Sequence, residues 1–99
     1  MVKGKTKSGI KFQIDERIKD DARFLFYLNQ LNKADDPQSA YGNAMDMIGL
    51  IFGGGEGTIA FMNEVAAKHG GVCEVTTMIE EIKEIVQATK LKNSSPSPK

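Results

Sequence analysis

The sequence has no tryptophan, one cysteine (Cys73) and one histidine (His69). A single cysteine excludes a disulfide within the chain and suits a reducing cytoplasm. Catalytic and metal sites need several titratable or ligating side chains close together, and the sequence shows neither clustered ligands nor a serine-centred motif. We therefore expect no catalytic residue, no cofactor and no metal, in a protein that is not an enzyme.

Long apolar runs and an excess of one charge are also lacking. No apolar run is long enough to cross a bilayer, and the basic start of the chain is not followed by the apolar stretch of a secretory signal. Lysine and arginine number 13 and acidic residues 13. A protein that binds nucleic acid should carry a basic excess. We expect a soluble cytoplasmic protein with neither nucleic acid nor membrane as partner.

What is present predicts a mainly α fold: a small bundle of about four helices, with a short N-terminal extended segment and a disordered C-terminal tail. Residues 1–9 are rich in lysine and glycine and predict a flexible arm. The helical domain occupies residues 10–90, and residues 91–99 are a polar, proline-bearing tail or linker. Residues 10–14 alternate apolar with polar, as a half-buried strand does. Its pairing partner is either residues 72–75 or another copy of the chain.

The helices are predicted from apolar periodicity and from caps. The first runs from residue 16 or 21 to residue 33, the second covers residues 37–52, and the third runs from residue 57 or 58 to residue 69. The fourth is amphipathic and its pattern stops at Lys90. We interpret His69 as a C-terminal helix residue followed by the cap Gly70-Gly71, in preference to a metal or proton-transfer role.

The first helix has apolar residues on two sides. Phe24, Tyr27 and Leu31 fall on one narrow face together with Leu28, and Leu25 lies on the shoulder of that face. Phe26 points the other way. A helix with two apolar sides must bury both, one in its own core and the other against a partner. This pattern favours an interaction protein.

Six features follow one another along the chain. They are Phe12-Gln13-Ile14-Asp15, Asp20-Asp21-x-Arg23-Phe24, Asp35-Asp36-Pro37, Leu50-Ile51-Phe52-Gly53, Lys68-His69-Gly70-Gly71-Val72 and an acidic-aliphatic last helix. In this order, and over residues 9–89, they resemble the small tail assembly chaperones of long-tailed bacteriophages (siphoviruses) and prophages of Gram-positive bacteria.

The resemblance implies a chaperone of tail morphogenesis that is absent from the mature virion. Such proteins coat the long helical tape measure protein and keep it soluble until tail tube protein polymerises around it. The expected partners are thus the tape measure protein, the tail tube protein and further copies of the chain, in the cytoplasm of the infected host. The family also makes longer frameshifted products, for which the polar tail would be a linker.

Seven apolar side chains are candidates for partner contact. Methionine adapts to many partner surfaces, and several aromatic or leucine side chains fit poorly into a single-face pattern. The candidates are Phe26, Tyr41, Met45, Met47, Leu50, Phe52 and Phe61. Filling of a four-helix core is the alternative role for each of them, and a generic helical adaptor or regulator of a prophage or its host is the alternative function.

Overall fold

The computed structural model describes residues 1–93. Within this range the chain forms one two-stranded sheet, a short 3-10 helix and four α-helices, so the predicted mainly helical fold is confirmed. The elements are β1 (Val2–Lys5), β2 (Lys11–Ile14), the 3-10 helix Glu16–Asp20, α1 (Ala22–Lys33), α2 (Pro37–Phe52), α3 (Gly55–Lys68) and α4 (Val75–Asn93).

The N-terminal residues form a β-hairpin, and the prediction of a flexible arm over residues 1–9 is wrong. β1 pairs antiparallel with β2, placing Val2 opposite Ile14 and Lys5 opposite Lys11. Residues 72–74 form no strand and Val75 begins α4, so the predicted pairing with residues 72–75 is also wrong. The hairpin is ordered because Val2, Phe12 and Ile14 are buried in the core.

Local signals place the ends of α2 as predicted. The side chain of Asp36 accepts a hydrogen bond from the backbone N–H of Ser39, and Pro37 occupies the first helical position. At the other end Gly53 adopts a φ of +92°, which favours glycine. Gly54 also has a positive φ, and α3 begins directly afterwards at Gly55, slightly earlier than predicted.

α4 contributes most to the core and contacts α2, α3, β1 and the 3-10 helix. Its buried apolar residues recur at helical spacing and belong to the same core as the buried residues of α2 and α3. On α4 they are Met78, Ile79, Ile82, Ile85 and Val86. The helix continues to Asn93, past the predicted end of the domain. Of the tail predicted over residues 91–99, residues 94–99 lie outside the described part.

Candidate functional site

α1 has one buried side and one exposed apolar side, as its sequence predicts. Phe24 and Leu31 are buried, and Tyr27 and Leu28 pack against the core from partly buried positions. On the opposite side, Leu25 is 51% exposed and Phe26 is 57% exposed. Ala22 and Asn29 are also exposed, at the spacing of residues that share one face of a helix. We call these four residues the outer α1 face.

The exposed ring of Phe26 packs against the ring of its neighbour Tyr27. The ring of Tyr27 meets it edge to face, with centroids 5.8 Å apart and planes inclined by 70°. Such an arrangement is a favourable geometry for an aromatic pair. Because Tyr27 itself packs against the core, its contact with Phe26 links this exposed aromatic side chain to the core.

The seven predicted contact residues divide into three groups. Phe26 and Tyr41 are exposed. The partly buried group packs against the core and consists of Met45, Leu50 and Phe52. Met47 and Phe61 are 0% and 4% exposed, so the prediction that they contact a partner is wrong.

The two wrong candidates fill the core for identifiable reasons. Met47 lies on the same side of α2 as the buried Ala40, Ala44 and Ile48. The ring of Phe61 stacks on that of Phe52 at a centroid distance of 5.1 Å, which joins α3 to α2. Periodicity alone could not separate these residues from a surface group, because both helices carry broad apolar sectors.

Four other large apolar side chains are exposed and were not among the predicted contacts. They are Met1 at the N-terminus, Leu25 on α1, Ile59 on α3 and Val72 in the α3–α4 link. Leu25 could have been found from sequence, because it lies one turn beyond Ala22 and adjoins Phe26 on the helix surface. Ile59 gave no such signal, since it shares the apolar side of α3 with residues that are buried or partly buried.

Comparisons with known proteins do not extend these observations. The chain matches no family model, no curated protein and no solved structure. Among the described residues, no three His, Cys, Asp or Glu side chains are grouped so as to hold a metal ion. In the same part of the chain, no helix combines the length and the apolar character needed to cross a membrane. The function must therefore be argued from the residues themselves.

A buried carboxylate, that of Glu81 on α4, is the most unusual polar feature of the described chain. Its side chain is 7% exposed. The hydroxyl of Ser8 donates to Glu81 Oε2 over 2.7 Å, and His69 Nε2 lies 2.8 Å from the same oxygen. The other oxygen, Oε1, is buried without a hydrogen-bond partner among the described residues. One carboxylate thus joins the hairpin turn, the end of α3 and the middle of α4.

Glu81 is held in its ionised form. Burial raises the pKa of a carboxyl group, but the hydrogen bonds from Ser8 and His69, aided by Thr6, outweigh this effect and lower the pKa of Glu81. An ionised carboxylate only accepts hydrogen bonds, so His69 Nε2 carries the proton in their contact. The contact is therefore favourable whether the imidazole is neutral or charged.

Ser8, His69 and Glu81 are arranged to hold three parts of the fold together, and not as a catalytic triad. In a serine–histidine–acid triad the imidazole lies between the hydroxyl and the carboxylate and takes the hydroxyl proton. Here the hydroxyl and the imidazole both bind the carboxylate. One turn further along α4, Glu84 Oε2 accepts the backbone N–H of Lys7 over 2.7 Å. Two carboxylates of α4 thereby fix the turn between β1 and β2.

Proposed function

We propose that this chain is a phage or prophage tail assembly chaperone that binds tape measure protein through the outer α1 face. The single observation that carries the proposal is the exposure of Leu25 and Phe26 on a helix whose opposite side already packs against the core. The family resemblance of the sequence supports the same function. In this role the protein acts in the cytoplasm of the infected host and is absent from the finished virion.

The outer α1 face suits a helical client. Ala22, Leu25, Phe26 and Asn29 follow the spacing by which one helix offers contacts to another. Leu25 and Phe26 are already about half covered, so burying the remainder against a client would contribute about 1–1.5 kcal/mol for each side chain. Contacts of this size are reversible, as displacement by tail tube protein requires. Apolar contact also tolerates varied client sequences, as coating a long protein with several copies requires.

Co-expression tests the proposal directly. The chain would be produced together with the tape measure protein encoded beside it, and the soluble fraction of the tape measure protein would be measured by sedimentation and quantitative blotting. We expect the native chain to keep the client soluble and to co-purify with it. Leu25→Gln/Phe26→Gln should lose both effects, because its outer α1 face is polar.

A matched control separates this face from exposed apolar surface in general. Ile59→Gln/Val72→Gln also replaces two exposed apolar side chains, but on α3 and on the α3–α4 link. This control should still solubilise the client. If the native chain leaves the tape measure protein insoluble, or if both variants work equally well, the proposal is wrong.

A further inference from the structure

The outward side of the β-hairpin is strongly basic. Alternation along the two strands directs Val2, Phe12 and Ile14 into the core. The exposed positions between them are Lys3, Lys5, Lys11 and Gln13. Residues 1–14 contain four lysines and no acidic residue, although the whole chain is neutral. We call this side the lysine face.

The charges of the lysine face destabilise the hairpin. Lys5 and Lys11 are directly opposite in the register, and like charges at such positions are destabilising. Among the described residues, no carboxylate lies within ion-pair distance of either lysine. Each charge is therefore open to an external anion.

A depression of about 320 Å³ lies within this face. It is lined by Lys3, Gly4, Lys11, Phe12 and Gln13. The Phe12 ring covers Gly4 so closely that a Cβ added at Gly4 would come 2.6 Å from Phe12 Cζ. A side chain at position 4 would therefore force the Phe12 ring to move. The depression brings cationic and amide side chains together, which suits a ligand side chain that ends in a carboxylate.

We propose that the lysine face binds an acidic polypeptide segment. Neighbouring lysines on one strand lie about 7 Å apart, so the site spans only a few side chains. Phe12, the aromatic ring of the hairpin, is buried rather than offered for base stacking. These features favour a short acidic peptide over nucleic acid.

This inference goes beyond tail assembly, because the lysine face and the outer α1 face are separate surfaces on different elements. A chain that fails to solubilise tape measure protein could still bind acidic peptides, and the reverse also holds. Co-expression with the tape measure protein tests the first proposal, and peptide binding tests the second.

The test uses a fluorescently labelled peptide of four glutamates and the native chain, with binding followed by anisotropy at an ionic strength of about 0.1 M, where the Debye length is about 10 Å. The native chain should bind, and added salt should weaken the binding through screening. Lys5→Gln/Lys11→Gln should bind about fivefold more weakly, given the modest worth of each exposed charge pair. Lys5→Arg/Lys11→Arg should keep the affinity, because it keeps both charges.

Lys33→Gln/Lys83→Gln is the matched control, since it removes two exposed lysines from helices and changes the net charge equally. Its affinity should stay within about twofold of the native value, because distant charges are largely screened. Equal weakening in both double variants would show a non-specific charge effect and overturn the proposal. No detectable binding by the native chain would overturn it as well. The lysines would then serve only to prevent the strand edge from pairing with other chains.

A single-stranded oligonucleotide of the same charge and label supplies the competing class of partner. We expect it to bind more weakly than the peptide. Tighter binding of the oligonucleotide, lost in Lys5→Gln/Lys11→Gln, would overturn the choice of an acidic polypeptide.

Discussion

α1 and α4 are both amphipathic helices that contribute to the same core, but their solvent-exposed sides differ in polarity. The outer side of α4 presents Thr76, Glu80, Lys83 and Gln87 to solvent. The outer side of α1 begins with Ala22 and continues with Leu25 and Phe26. A helix that packs only within its own domain normally has a polar side toward solvent. In the proposed function, the additional apolar residues of α1 make a second contact, with a client.

The largest expected effect comes from the buried side of α4. Ile82 is completely buried, so Ile82→Ala removes apolar contact and leaves a cavity. We expect the free energy of unfolding to fall by about 2–5 kcal/mol, as measured by urea denaturation. A loss within about 0.5 kcal/mol, the range of ordinary surface substitutions, would contradict the placement of α4 at the centre of the core.

A smaller loss should follow from removing the one buried acid on the polar side of α4. Glu81→Ala leaves the Ser8 hydroxyl and the His69 imidazole without their shared partner. We expect a loss of about 1–3 kcal/mol in the free energy of unfolding. Glu81→Gln keeps the shape and one acceptor oxygen, and it should lose less. If Glu81→Ala is as stable as the native chain, the contacts of Ser8 and His69 with Glu81 do not stabilise the fold.

The contribution of Glu81 should also depend on pH. Its pKa in the folded protein is below the ordinary value of 4.5. The stabilisation is therefore fully present above that ordinary value and is lost as pH falls through the lower folded pKa. The stability difference between the native chain and Glu81→Gln should shrink from pH 7 to pH 3. A difference that stays constant over this range would show that the charge of Glu81 is not involved.

The smallest effect on stability is expected on the outer α1 face. Leu25→Gln should change the free energy of unfolding by about 0.5 kcal/mol or less, because this side chain is largely exposed. Phe26→Gln should cost about 1 kcal/mol, because it also removes the edge-to-face contact with Tyr27. Thermal and urea denaturation of each variant would measure this. A loss comparable to that of Ile82→Ala would mean that these residues belong to the core after all, and the contrast with α4 would disappear.

Sequence reasoning succeeded where the signal is local. The bounds of α2 follow from Asp36, Pro37 and Gly53, three residues that act within one helical turn of the ends they define. The two-sided character of α1 follows from its periodicity. In both cases the residues that determine the structure are close together in the sequence.

Sequence reasoning failed where the partner is remote. β1 has one clearly apolar inward residue, Val2, and depends on its pairing with β2 and on its contacts with α4. Glu81 falls on the polar side of α4 by periodicity, but it is buried because Ser8 and His69 are brought to it by the fold. At about 100° per residue Glu81 borders the buried side of α4 and Glu80 lies opposite to it, but this pattern does not predict that a carboxylate at the border is buried.

The attachment of the hairpin turn to α4 has a consequence for how the chain folds. The hydrogen bonds of Ser8 to Glu81 and of Lys7 to Glu84 join residues 73 and 77 positions apart. Contacts over such distances form slowly, because nearly the whole chain must be closed into a loop first. We therefore expect the helices to assemble first around shorter-range contacts and the N-terminal strands to dock last.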